Sequence, residues 1–276
     1  MSPLIYSYFV RSLAPEASSR NWVANVLGPV VPAGLSWVSV YWLFVAVAAV
    51  MVAFVFTLRF PRFAHTSDEQ VGSLATHLQL VKNPVVLLYF FSVFAYVGSE
   101  QGTSNWISQF LATYHGCDPQ TTGASAVSWF WGLMTIGCVI GMVLLKLFDS
   151  RRVLMGGAAG AMICLAAALT GPKDVALTAF PAMGLFLSVL WPVTISLALN
   201  SVRRDHGTLT GILCTGIAGG AVLPFLIGSL GDAFGLRAGM CLLFVSFGWI
   251  FAVGLWARPI ITNRTIDWKK LFGKGT

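Results

Sequence analysis

The stretch PVVLLYFFSVFAYVGSEQGTSNWISQFLAT, residues 84–113, decides the fold. It is apolar over more than the roughly 20 residues a helix needs to cross the hydrocarbon of a bilayer. It also carries an acid, Glu100, near its middle. A carboxylate at that depth costs about 2.5–3.5 kcal/mol on insertion scales. Such a group persists where it faces a cavity or a partner, so Glu100 reads as functional. Helical spacing places Tyr96, Glu100, Ser104 and Ser108 on one line, with Val97, Gln101, Asn105 and Gln109 beside it. This is a polar stripe on an otherwise apolar span.

Working outward, six further runs are long and apolar enough to cross: residues 35–58, 124–145, 153–171, 175–199, 207–230 and 238–257. The composition agrees, with 57% hydrophobic and 10% charged residues in a 276-residue chain, against about 25% charged in soluble domains. The expected fold class is all-α, a polytopic membrane protein. Residues 22–34 are apolar but short and interrupted by Pro29 and Pro32; they read as the end of a helix whose beginning is missing. Residues 1–20 lack the pattern of a signal peptide.

The net charge of +7 does not point to nucleic acid, because the basic residues sit between spans. With residues 59–83 placed inside, Arg59, Arg62, Lys82, Lys146, Arg151, Arg152, Arg203, Arg204, Arg258, Arg264, Lys269, Lys270 and Lys274 fall on the inner side. Only Lys173 and Arg237, with Arg11 and Arg20 near the start, fall outside. This positive-inside bias makes the C-terminal tail cytoplasmic. The expected address is a plasma membrane or bacterial inner membrane. The organisation expected is an atypical segment 1–34, a span 35–58, a cytoplasmic central loop 59–83, a six-helix bundle 84–257 and a tail 258–276. Within the loop, Leu74, Leu78 and Val81 recur at helical spacing and suggest a short helix on the membrane surface.

The six-helix block hints at a repeat. Gly132, Gly137 and Gly141 in one span match Gly211, Gly216 and Gly220 in another, and the two spans are middle helices of consecutive triplets. Inverted triplets of this kind build many secondary transporters.

Three segments carry a family resemblance: YVGSEQGTSNWISQFL at 96–111, LSVLWPVTISLAL at 187–199 and GIAGGAVLPFLIGSLGDAFG at 216–235, with SWVSVYWLFV at 36–45. The chain resembles the major facilitator superfamily and, within it, the fucose and glucose–galactose permease group of sugar–proton symporters. The segments are similar to that group's seventh, tenth, eleventh and sixth helices. The resemblance implies twelve helices in two bundles with substrate between them, and this chain matches the sixth to the twelfth. It therefore implies transport of a monosaccharide by proton symport, with the proton-coupling acids in an N-terminal bundle that this chain lacks. The loop KLFDSRRVL keeps Asp149, Arg151 and Arg152 without the superfamily's loop glycines. A closer match, Gly228, Asp232, Gly235 and Arg237, falls in an outer loop on this topology.

The candidate substrate-binding residues are Tyr96, Glu100, Gln101, Ser104, Asn105, Gln109 and Trp191. Asn and Gln offer a donor and an acceptor on one side chain, which matches sugar hydroxyls, and aromatic rings offer apolar faces for sugar C–H groups. The competing account of the stripe is interhelical bonding that holds the bundle together. Trp129 and Trp131 read as interfacial anchors at the start of their span. Pro192 is expected to kink its helix and free a carbonyl. Gly216, Gly219, Gly220 and Pro224 read as close packing. Arg203, Arg204, Asp205 and His206 form an inner loop that sets topology and meets lipid headgroups, and His115 is expected to be solvated.

Cys117, Cys138, Cys164, Cys214 and Cys241 show no metal or disulfide spacing. With no nucleophile–base pair and no phosphate loop, neither an enzyme nor a cofactor is expected. The expected partners are a sugar, protons, the bilayer, and an N-terminal half or a second copy; nucleic acid is not among them. The alternative function is a truncated, non-transporting membrane protein or an interaction subunit. A seven-helix receptor fits poorly, since no lysine lies deep in the last span.

Overall fold

A computed structural model describes residues 8–9, 12–13, 22–32, 35–58 and 72–260. The expectations for residues 1–7, 59–71 and 261–276 lie outside the described residues. The described elements are α1 (Trp22–Leu27), α2 (Ser36–Thr57), α3 (Leu74–Val81), α4 (Pro84–His115), α5 (Pro119–Leu147), α6 (Ser150–Thr170), α7 (Lys173–Leu199), α8 (His206–Phe234) and α9 (Leu236–Trp256). Seven of them, α2 and α4 to α9, are long and apolar enough to span a membrane. No strand occurs among the described residues. The chain is an all-α multi-pass membrane protein: a six-helix bundle, α4 to α9, preceded by one further span.

The ends of these helices follow from capping chemistry. At α4, Asn83 Oδ1 accepts the Val85 N–H at 2.9 Å and Pro84 takes the first helical position. Gly116 then ends it in the left-handed region, φ 61°. The 32 residues between give a rod of about 48 Å at 1.5 Å per residue. Asp149 caps α6 in the same way, accepting the Arg151 N–H at 2.9 Å.

Helix α4 is the centre of the bundle and packs against α7, α8 and α9. A second group forms where α5 and α6 both pack on α7, and α6 closes the circle against α9. Val86, Tyr89, Val93, Ile107, Phe110 and Leu111 of α4 belong to one continuous core with Leu154, Ala158 and Leu165 of α6 and Phe247 and Ile250 of α9. By contrast, α2 is exposed along nearly its whole length.

The two glycine triplets behave alike. A Cβ on Gly132 or Gly211 would meet nothing within 4 Å. Gly137 and Gly141 instead lie against Ser188 and Val189 of α7, while Gly216 and Gly220 lie against Val93 and Val97 of α4. In each triplet the first glycine is open and the other two are contacts, as related helices in a repeat would show.

Helix α5 opens with a π turn at Pro119–Gly123, where Asp118 accepts the Gln120 N–H at 3.0 Å and the Thr121 hydroxyl at 2.6 Å, and it is α-helical from Ala124, as expected. Trp129 and Trp131 lie in the early turns of that α-helical part. Trp129 is exposed there, whereas Trp131 packs on the core. His115 is not simply solvated: its Nε2 is buried and its ring lies 6.0 Å from that of Phe110. His206 is held to the protein backbone, its Nε2 lying 3.0 Å from the Val202 carbonyl and 3.2 Å from that of Leu199. Helix α7 is broken at Ser188 and Val189, where Pro192 frees a carbonyl as expected. The surface helix α3 forms as expected, with Leu74, Leu78 and Val81 all exposed.

Candidate functional site

Glu100 is the seventeenth residue of the 32 in α4, so its carboxyl sits near mid-span. It is half-buried. Gln101 donates to it from Nε2 at 3.3 Å, and the Tyr96 hydroxyl also faces it one turn away. Tyr96 itself is buried, 5% exposed, with its ring centroid 5.8 Å from that of Trp191 at an interplanar angle of 47°. Thus a carboxylate, an amide, a phenol and an indole, drawn from α4 and α7, converge at one level. Tyr96 and Trp191 are far apart in sequence, and only the fold brings them together.

The rest of the stripe divides. Asn105 and Gln109 are exposed on the same helix, and Gln109 reaches only Thr113 Oγ1, at 3.3 Å. Ser104 is buried and turned to its own backbone, donating to the Gln101 carbonyl at 3.3 Å. Ser108 donates to the Pro119 carbonyl at 3.1 Å and ties α4 to the start of α5. So Tyr96, Glu100, Gln101 and Trp191 form a cluster, Asn105 and Gln109 extend it along an open face, and Ser104 and Ser108 serve local structure.

Two of the three helices packed on α4 are broken near this level. Helix α7 consists of Lys173–Leu187 and Leu190–Leu199, interrupted at Ser188 and Val189. Pro192 explains the position. Proline has no N–H and its ring crowds the carbonyl four residues earlier, which here is that of Ser188. The freed carbonyl has Cys138 Sγ of α5 as donor at 3.9 Å. The break leaves Leu190 and Trp191 at the start of the second half, with Trp191 against Tyr96. Helix α8 tightens into a 3-10 turn at Gly216–Ala218, where the missing side chains let it approach α4. A Cβ on Gly219 would overlap the Phe94 carbonyl oxygen, and one on Gly220 would lie 3.1 Å from Gln101 Cγ.

Contacts not legible in the sequence pin this arrangement. Trp106 Nε1 donates to the Pro224 carbonyl at 3.0 Å, joining α4 to α8. Tyr89 and Ser201 share a hydroxyl–hydroxyl bond of 3.0 Å at the other end. Of the signature residues expected in an outer loop, Gly228 and Asp232 lie inside α8 and Arg237 in the first turn of α9, so only Gly235 lies between the helices. Gly235 has φ 90°, the Arg237 N–H donates to the Tyr114 hydroxyl at 3.1 Å, and its guanidinium lies 4.7 Å over the Tyr114 ring. Among the described residues there is no group of acids, histidines and cysteines that could hold a metal ion.

A bundle of this kind, with broken helices around a mid-span acid, is the architecture of secondary transporters. The family model of the Major Facilitator Superfamily matches residues 18–216, and the chain belongs to that superfamily. Among curated proteins it is 29% identical over 221 residues to a glucose/galactose transporter of Brucella abortus, covering 78% of this chain and 52% of that one. It is 25% identical over 202 residues to the L-fucose-proton symporter of Escherichia coli, covering 71% and 45%. The chain thus spans about half the length of the curated relatives it matches. Among solved structures it resembles the E. coli fucose:proton symporter FucP, at 21% identity and a TM-score of 0.68, over 91% of this chain and 63% of that one. A structure of FucP in the outward conformation gives a TM-score of 0.69 at 20% identity with the same coverage.

Proposed function

We propose that this chain supplies one wall of the solute path of a monosaccharide–proton symporter that works by alternating access. The half-buried Glu100 carries the reading, because it is an acid at mid-span bonded to Gln101 and facing Tyr96. Gln101, Asn105 and Gln109 offer paired donors and acceptors for hydroxyls, and the Tyr96 and Trp191 rings offer apolar faces for C–H groups. Two relatives, a glucose/galactose transporter and an L-fucose-proton symporter, favour the same substrate class. On this reading residues 84–257 act as the C-terminal bundle, residues 59–83 are the central cytoplasmic loop, and the tail is cytoplasmic in a bacterial inner membrane. The open face that holds Asn105 and Gln109 is closed by an N-terminal bundle or by a second copy of this chain.

The test is binding followed by flux. Purified chain is titrated with D-glucose, D-galactose and L-fucose while tryptophan fluorescence is read. A saturable change with at least one sugar, lost in Glu100→Gln, is the expected result; no saturable change with any of them overturns the assignment. Proteoliposome counterflow then separates two outcomes. Exchange supports transport, and binding without exchange favours the alternative of a non-transporting interaction subunit.

A further inference from the structure

A second feature lies between α5 and α6 and is lined by none of the residues of the Glu100 cluster. Helices α5 and α6 run as a hairpin yet each packs chiefly on α7. A groove opens between them with α7 as its floor. It encloses about 330 Å³. Its walls are Ile140, Leu144 and Phe148 of α5 and Val153 and Gly156 of α6, over Phe186 of α7. The one charged residue on it is Arg152, in the first turn of α6.

Glycine makes the groove. Gly156 is exposed, and a Cβ there would meet nothing within 4 Å. From Phe148 to Gly137, which also lines it, the groove runs about 16 Å at 1.5 Å per residue. That is the depth of one leaflet, half of the roughly 30 Å hydrocarbon core. Arg152 stands at its shallow end, where the short connection between α5 and α6 meets the membrane surface.

The two neighbouring arginines differ. Arg151 is engaged, donating from Nε to the Gly254 carbonyl at 3.0 Å and from a terminal nitrogen to the Leu255 carbonyl at 2.6 Å. Arg152 is exposed and has no ion-pair or hydrogen-bond partner among the described residues. Asp149 beside it is taken up in capping α6. A leaflet-deep apolar slot with one free guanidinium at the surface matches an acyl chain below a phosphate. Basic sites between membrane helices bind anionic headgroups, and arginine suits phosphate because its planar fork can donate twice.

We propose that the α5–α6 groove is a site for one anionic phospholipid, with an acyl chain over Gly156 and Phe186 and the phosphate on Arg152. The inference rests on the chain crossing a membrane and not on the transport reading.

Native mass spectrometry of the purified chain tests it, with dioleoyl phosphatidylglycerol and dioleoyl phosphatidylcholine as probes. The expected result is one phosphatidylglycerol retained in preference to phosphatidylcholine. Arg152→Gln, at an exposed position, lowers that preference about fivefold, the effect of one basic residue at a membrane surface. Gly156→Leu fills the slot and removes retention of either lipid. Equal retention of the two lipids by the unaltered chain, or an unchanged preference in Arg152→Gln, overturns the proposal. If Gly156→Leu does not fold, Arg152→Gln alone decides.

Discussion

Replacing Gly219 by alanine adds one methyl group at the closest approach of α8 to α4. The methyl would overlap the Phe94 carbonyl oxygen and lie 2.7 Å from its carbon and 2.9 Å from the Phe94 Cα. All three are backbone atoms of the longest helix in the bundle, so no side chain can rotate away. The helices must separate, and the nearby bond from Trp106 to the Pro224 carbonyl must lengthen. Overpacking costs about 1–3 kcal/mol, and a backbone obstacle puts Gly219→Ala near about 3 kcal/mol. Gly211→Ala is the matched control. It is the same change in the same helix, but the new methyl meets nothing within 4 Å. There alanine stabilises by about 0.4–1 kcal/mol through the unfolded chain. Thermal unfolding in detergent, followed by near-UV circular dichroism, reads the difference. Gly219→Ala should melt about 6–12 °C lower, and Gly211→Ala should melt at or slightly above the unaltered chain. Equal melting of the two variants would refute the close α4–α8 contact, and with it the route by which α8 meets Gln101.

Other outcomes follow from single contacts. Arg151→Leu removes both bonds to the end of α9 and should cost about 1–2 kcal/mol, a range lowered for the half-exposed position; Arg151→Lys recovers only part, because lysine lacks the fork. Both are read by the same unfolding experiment. Trp106→Phe loses the bond to the Pro224 carbonyl and should cost about 1 kcal/mol. Trp191→Ala removes the ring beside Tyr96 and should weaken sugar binding by about tenfold, with Trp191→Phe retaining most of it, as isothermal titration would show.

The seven spans are legible in the sequence because hydrocarbon imposes one requirement on every residue of a span, and hydropathy measures it directly. The expected starts at 84 and 124 agree with the α-helices that begin at Pro84 and Ala124. The start expected at 153 falls three residues late, because Asp149 caps a helix whose first turn, Ser150, Arg151 and Arg152, is polar and has no apolar signature. The site divides along the same line. Glu100 stands out by chemistry and helical spacing alone, whereas its proximity to Trp191 depends on how α7 packs on α4. Ser104 and Asn105 are adjacent in sequence, and spacing gave no means to see that one is buried against its own backbone and the other is exposed. Arg151 and Arg152 are equal as topology charges; only the position of α9 separates the one that caps a neighbour from the one left exposed.

The breaks in α7 and α8 give the Glu100 level its mechanical character. Helix α4 is continuous, capped at both ends, and holds Tyr96, Glu100 and Gln101 on one rigid rod. Two of its three neighbours, α7 and α8, are interrupted beside that rod. The Ser188 carbonyl, deprived of a helical donor by Pro192, has a thiol at 3.9 Å, and a thiol is a weak donor. Little therefore opposes a change of angle between the halves of α7, and the half that would swing begins with Leu190 and Trp191. At α8 the turn at Gly216–Ala218 is bounded by Gly216 and Gly219, whose contacts are with backbone and Val93 on α4. A shift there slides the α8 wall past Gln101 while leaving Glu100 in place. On the transport reading proposed above, the continuous α4 would hold the acid in place while the interrupted helices beside it change angle, as alternating access around a fixed site requires.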